Sequence, residues 1–202
     1  MKDSRRSNHS PVMIPSIGLA QWKQHTIRQL NGRAEQIRLK ARFQIVTESW
    51  NRVVAVPYIA NLGKDRLIML IGCDYPHRSY VLTSKDGGGT WTQPRTAKLD
   101  KNGKPGIGLG TALQHLGNGR LVFYEDGIIG VGKPSRWFSS DYGKTWGNPV
   151  SLGRTSDNTA WHIWDPPLVD RDPKTGKVIR LVETGYSQSG RNSQAYIRFS
   201  KD

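Results

Sequence analysis

The sequence predicts an all-β fold built from repeated, four-stranded antiparallel sheets, and three observations carry that expectation. Ser84-Lys85-Asp86-Gly87-Gly88-Gly89-Thr90-Trp91 recurs as Ser139-Ser140-Asp141-Tyr142-Gly143-Lys144-Thr145-Trp146, and Ser200-Lys201-Asp202 opens a third copy. Between the copies run short apolar stretches bounded by turn residues, the pattern of hairpin-connected strands. The composition agrees: 22 Gly, 11 Pro and 7 Trp in 202 residues suit many short strands and tight turns better than a helical bundle.

Each position of the shared pattern, Ser-x-Asp-x-Gly-x-Thr-Trp, has a physical task. The Ser and Asp side chains bond backbone N–H groups of a tight turn, the central Gly accepts a backbone angle that a Cβ penalises, and the Trp covers the hairpin with a large apolar face. These are tasks of folding, and the pattern alone assigns no chemistry.

Residues 1 to about 20 are polar, with Pro11 and Pro15, and read as a flexible lead-in. Residues 22 to 45 carry two periods at once. Ile27, Leu30, Ala34, Ile37 and Ala41 fall at helical spacing, whereas Ile37, Leu39, Ala41, Phe43 and Ile45 alternate with polar residues. The expectation is a strand over about 37 to 46 after a short helix. A basic, partly flexible segment is therefore placed at 1–36 and the repeated sheets at 37–202.

The first sheet reads as strands at 53–60, 66–72, 79–83 and 92–98. The second reads as 110–116, 120–124, 135–138 and 147–152, and the third as 163–169, 178–183 and 194–199. Asn61 to Asp65, Gly117-Asn118-Gly119 and Asp172 to Gly176 supply the first turn of each.

The net charge of +14 raises nucleic acid or an anionic surface as partners. Much of the excess sits in the first fifth of the chain, where Arg5, Arg6, Arg28, Arg33, Arg38, Lys40 and Arg42 face only Asp3 and Glu35. No aromatic RNA motif or zinc spacing accompanies them, so a solvated basic arm is the preferred reading over nucleic-acid binding. Cys73 is the single cysteine and follows the apolar run Leu67 to Ile71, which suggests a buried core position and excludes an internal disulfide. No signal peptide or transmembrane segment is recognisable, and the compartment is left open. No metal or organic cofactor is implied.

The repeated pattern resembles the Asp box, or BNR repeat, of sialidase-like β-propellers, where it closes the hairpin between the third and fourth strands of a blade. The resemblance implies an all-β, sialidase-like β-propeller fragment of about three four-stranded blades (about 53–99, 106–152 and 161–202), half of a six-bladed ring. In such a fold the strand near residue 37 would help close the last blade, and the open blade edges would allow self-association. It also implies a glycan or glycoconjugate substrate and a sialidase-type exo-glycoside hydrolase. Asp boxes occur as well in propellers that only bind glycans or protein.

In a four-stranded up-and-down blade the Asp boxes mark one end, and the second-to-third loops and inter-blade links collect at the other. The latter end holds Cys73 to Arg78, Glu125 and Asp126, Tyr186 to Arg191, Thr47 to Arg52, Asp100 to Lys104 and Trp161 to Asp165. Aromatic faces, arginine forks and carboxyl groups are what a sugar site uses. Asp74, near Arg78, resembles the family's acid/base aspartate; it reads equally as the cap of the Asp-Tyr-Pro turn. Trp164, Asp165 and His162 would line a sugar or simply pack between blades, and Arg52 and Arg191 are further candidates for an anionic group. Glu125 and Asp126 are adjacent on a strand, so they point to opposite faces. One departure concerns the family's arginine before Ile-Pro, for which this chain has Ala55 in Val54-Ala55-Val56-Pro57, with Arg52 offset. The tyrosine nucleophile with its glutamate, and the rest of the arginine clamp, belong to later blades in the family.

Overall fold

The computed structural model describes residues 22–28, 36–42, 46–47, 50–126, 133–156, 158–189 and 192–200. The chain divides into two compact units, Met1–Asn51 and Arg52–Asp202.

In the first unit, β1 (Trp22–Arg28) pairs antiparallel with β2 (Gln36–Arg42), with Ile27 opposite Ile37 and Trp22 opposite Arg42. The strand expected near residue 37 is present, but its partner is β1, where a short helix was expected. The helical spacing is interrupted by Gly32, and the segment before it is rich in the strand formers Trp22, Thr26 and Ile27.

The second unit holds three antiparallel sheets. Sheet one runs β3 (Val54–Gly63), β4 (Arg66–Cys73), β5 (Arg78–Ser84) and β6 (Arg95–Thr96) in spatial and sequence order. Sheet two repeats the order with β7 (Gly110–Gly117), β8 (Arg120–Glu125), β9 (Ser135–Ser139) and β10 (Val150–Ser151). Sheet three has β11 (Leu168–Arg171), β12 (Val178–Ser189) and β13 (Asn192–Phe199). The middle strands of sheets one and two sit within a few residues of their sequence-based bounds; β12 runs six residues past its expected end at 183, β11 starts later, at Leu168, and β6 and β10 are only two residues long.

The sheets stack face to face, and alternation along β8 shows how. Leu121 and Phe123 join a core with Ile68, Leu70, Val81 and Leu113, between sheets one and two. Val122 and Tyr124 join Trp161 and Ile163 between sheets two and three. A strand buried on both faces needs apolar residues at every position, which explains the unbroken run Leu121 to Tyr124. Cys73 is fully buried.

Both copies of the repeated pattern form the same turn. Ser84 and Ser139 donate to Asp86 and Asp141 at 2.8 Å and accept from the N–H groups of Gly88 and Gly143 at 2.9 Å. Each Asp accepts from the Thr four residues on, through backbone N–H and hydroxyl. Backbone bonds Gly87 N–Asp65 O (2.7 Å) and Tyr142 N–Gly119 O (2.9 Å) tie each turn to the first hairpin of its own sheet. The turns therefore mark one end of the sheets, and the β4–β5 and β8–β9 connections lie at the other.

Candidate functional site

The sequence-selected residues gather at the end opposite the repeated turns, in three groups. The first is built on the β4–β5 connection. Asp74 leaves β4 in the left-handed region, φ 68°, which Asp tolerates better than most residues, and its N–H bonds the Val53 carbonyl at 2.9 Å. Its carboxylate is gripped by Arg52, whose Nε and Nη2 donate to Oδ1 and Oδ2 at 2.9 and 2.6 Å. Arg52 Nη2 also donates to the Tyr80 hydroxyl at 2.7 Å, with the guanidinium 4.3 Å from the Tyr80 ring centroid. The hydrogen bond to Asp74 pushes the Arg52 guanidinium further up in pKa, against the effect of its partial burial. The two side chains stay 30% and 42% exposed, so the pair is open to a ligand.

Arg78 sits opposite Cys73 at the start of β5 and bridges electrostatically toward sheet two. Burial pushes the Glu125 carboxyl above its ordinary range, while the Gly108 N–H, the Trp137 indole and the charge of Arg78 pull it partway back. The Asp100 carboxyl lies below the usual range because the N–H groups of Lys104 and Asn102 bond it, with Lys104 and Arg78 adding positive charge.

Glu125 and Asp126 do face opposite ways. Glu125 turns toward sheet one, accepting from Gly108 N–H at 2.6 Å and from Trp137 Nε1 at 2.7 Å. Asp126 turns toward sheet three, with Oδ1 3.2 Å from His162 Nδ1, and both side chains are nearly inaccessible at 2% and 3%. His162 exchanges backbone hydrogen bonds of 2.9 and 3.0 Å with Tyr186, and the rings lie 5.2 Å apart. His162 is thus a buried tie between sheets and does not open onto solvent.

The third group joins the first strands of sheets one and two, β3 and β7, to the segment before sheet three. The Tyr58 hydroxyl donates to the Trp164 carbonyl at 2.7 Å, and Thr111 donates to the neighbouring Ile163 carbonyl. Tyr58 is raised in pKa by burial and by the negative charge of exposed Asp165. Trp164 is half-buried, and its Nε1 is enclosed without a hydrogen-bond partner in the structure. Trp161 is a core residue, packed in the second cluster with the Arg198 guanidinium 4.1 Å from its ring centroid. Arg191 lies outside the described residues.

The structure therefore pairs Asp74 with Arg52, which sequence reasoning had set apart as separate candidates. It places His162 with Asp126, and Trp164 and Asp165 beside Tyr58. Tyr58 and Tyr80 were not singled out; both sit inside strands, where an aromatic reads as core. A cleft of about 680 Å³ lies elsewhere, toward the repeated turns, and includes none of these residues. Among the described residues no three His, Cys, Asp or Glu side chains converge as a metal site requires.

No family model matches the sequence, and no curated protein matches it. Solved structures do resemble the fold. A protein of unknown function from Dyadobacter fermentans is 14% identical with a TM-score of 0.58, over 75% of this chain and 52% of that one. A Hadza microbial sialidase is 19% identical with a TM-score of 0.54, over 74% of this chain and 35% of that one. The sialidase of Trypanosoma rangeli, in complex with 2,3-difluorosialic acid as a covalent intermediate, is 17% identical with a TM-score of 0.52, over 90% and 32%. These likenesses show the fold, a sialidase- and glycosidase-like β-propeller, and the chain spans between about a third and about half of each neighbour's length.

Proposed function

We propose that the end of the sheets carrying Asp74 is part of the sugar-binding face of a sialidase-type exo-glycoside hydrolase acting on terminal anionic sugars. The repeated turns are read as Asp boxes that set the opposite, structural end. The observation that carries this reading is the Arg52–Asp74 pair: an exposed carboxylate on left-handed backbone, held by a guanidinium fork at the loop end of a sialidase-like sheet.

Glycoside hydrolysis needs a carboxyl group to protonate the leaving oxygen and a second group on the other side of the sugar. Glu125 and Asp126 are buried and committed to Gly108, Trp137 and His162, so Asp74 is the candidate acid. Arg52 bonds both oxygens of Asp74, and a substrate carboxylate that competes for that fork would free the Asp74 side chain to turn toward the sugar. Arg78 supplies further positive charge, and Trp164 with Asp165 offers an aromatic face and a hydrogen-bonding carboxylate for the ring.

Calorimetric titration of the full chain with N-acetylneuraminate, and with glucose as neutral control, tests this. The anionic sugar should bind and lose at least about tenfold in affinity in Arg52→Ala, whereas Asp74→Asn, which frees the fork, should bind it more tightly than wild type. Equal binding of both sugars, or weaker binding in Asp74→Asn, would sink the proposal. The commitment of Glu125 and Asp126 to structural partners favours a second reading, a non-catalytic Asp-box propeller that binds glycans or protein. Binding of the anionic sugar that Arg52→Ala and Asp74→Asn both leave unchanged would select it.

A further inference from the structure

The cleft between sheets two and three is lined by Leu116, Arg120, Phe138 and Val150 on one side and by Leu181 and Ser200 on the other, with the Arg136–Glu183–Arg198 cluster between them. Repeat register identifies what such a place holds. Gly63 and Gly117 end the first strands, and Leu67 opposite Ser84 corresponds to Leu121 opposite Ser139. Leu116 then stands where sheet one has Leu62, Arg120 where it has Arg66, and Phe138 where it has Thr83. Val150, paired with Arg136, stands where sheet one has Arg95, paired with Val81.

Between sheets one and two, those sheet-one residues seat the turn of sheet two. Trp146 is buried in the same core as Leu62 and packs edge-on against Phe123 at 4.5 Å. The Arg66 guanidinium lies 4.6 Å from the Tyr142 ring centroid, and Arg95 donates to the Gly143 carbonyl. Gly143 sits so tightly against Ile68 and Leu121 that a Cβ would collide with the Ile68 side chain. One sheet further on, the cleft keeps the leucine and the stacking arginine as Leu116 and Arg120, sets Phe138 and Val150 where sheet one has Thr83 and Arg95, and sets Glu183 where sheet two has Phe123.

Sheet three presents the matching entry. Ser200 pairs with Leu181 as Ser139 does with Leu121, through Ser200 N–Leu181 O at 2.9 Å. Its hydroxyl, however, accepts from Leu181 N–H at 2.8 Å, where Ser84 and Ser139 use theirs on the glycine and aspartate of a turn. Ser200-Lys201-Asp202 also repeats Ser84-Lys85-Asp86 letter for letter.

We infer that this cleft is a docking seat for an aromatic-bearing tight turn of the Ser-x-Asp-x-Gly-x-Thr-Trp kind. The seat takes the indole between sheets two and three, and Arg120 stacks on the residue in the place of Tyr142. The occupant is specified by chemistry: a planar indole for the apolar side chains of Leu116, Phe138, Val150 and Leu181 with its N–H toward Glu183, a turn whose central glycine permits close approach, and an aromatic ring for the guanidinium of Arg120.

The test is fluorescence anisotropy of a labelled nonapeptide copying residues 139–147, titrated with the full chain. Saturable binding is expected, weakened at least about tenfold when the peptide Trp is replaced by Ala. Phe138 and Val150 are 38% and 49% exposed, so Phe138→Asp and Val150→Glu can be expected to leave the fold intact, checked by circular dichroism, and each should abolish binding. Arg120→Ala should weaken it less. Binding indifferent to the peptide Trp, or unchanged in both cleft variants, would overturn the inference. So would a concentration-dependent dimer that Phe138→Asp disperses while the peptide fails to bind, since a second copy would then be the occupant.

Discussion

Replacing Glu183 by Gln should destabilise the unit by about 2–3 kcal/mol at pH 7. The Glu183 side chain is 7% exposed and collects the charges between sheets two and three. Arg136 donates to both its oxygens at 2.6 Å, and the Tyr124 hydroxyl donates to Oε1 at 2.6 Å. Arg198 Nη2 lies 2.9 Å from Oε2 but off the hydrogen-bond line, so that contact is mainly ionic. Removing one partner of a buried ion pair costs about 3–5 kcal/mol. The arginines are 22% and 29% exposed, and water takes over part of their stabilisation, which lowers the figure to about 2–3.

The pH dependence carries a sign. Burial pushes the Glu183 carboxyl up, but the hydrogen bonds from Arg136 and Tyr124 and the charges of both arginines outweigh it, leaving the group below its ordinary range. A carboxylate with a depressed folded-state pKa adds stability that is fully present above the unfolded value of about 4.3, and that stability is lost as pH falls through the folded value. In urea titrations the gap between wild type and Glu183→Gln should therefore narrow on acidification below about 4.3. A gap under about 0.5 kcal/mol at pH 7 would show the cluster to be an exposed pair of little worth. A gap that does not narrow in acid would show that shape, not charge, was lost. The combined Glu183→Phe, Arg198→Trp and Arg136→Val variant recreates the contacts of sheet two on sheet one, and it should return to within about 1 kcal/mol of wild type.

Two further outcomes follow from burial. Trp146→Ala should cost about 3–5 kcal/mol in the same urea assay, because it empties the core between sheets one and two. Trp91→Ala should cost about 1–2 kcal/mol, since Trp91 is only half-buried and its Nε1 bonds Gly88 of its own turn. Equal losses would mean that the turns act locally and do not join sheets. The Cys73 thiol, raised to about 11 by burial, which outweighs the opposing pull of Arg52 and is helped slightly by the charge of Asp74, should resist an aromatic disulfide reagent at pH 8 until urea unfolds the chain. Prompt reaction of the folded protein would contradict its buried position.

Local chemistry made the strands legible. Short apolar runs bounded by turn residues place β4, β5, β8 and β9 because run length and turn geometry act over a few residues. They fail at Trp22–Arg28, where two periods overlap and only the pairing with Gln36–Arg42 decides. The site was legible as a set of residue types but not as partnerships. Arg52 and Asp74 meet because one precedes β3 and the other follows β4, so their contact depends on two strands carrying the chain out and back. His162 looked like a ligand-facing residue because its neighbours are Trp161 and Trp164; its partner Asp126 comes from another sheet.

The Glu183 cluster shows where a signal existed and was missed. Along β12 Glu183 falls on the strand face opposite to Arg180, and nothing in the local pattern marks it as buried, yet it is. Laying the repeats side by side sets Leu181-Val182-Glu183 against Leu121-Val122-Phe123, and Arg198 against Trp137. Phe123 and Trp137 stack with centroids 6.2 Å apart between sheets one and two. At the next interface the same two positions hold opposite charges. A charge in one position of an aromatic slot would be an orphan in the interior, and a complementary charge in its cross-strand partner is the substitution that satisfies it. The repeat thus encodes the slot, and the pair of residues within it sets whether sheets are joined by stacking or by ions. That choice couples the second interface to pH through Glu183.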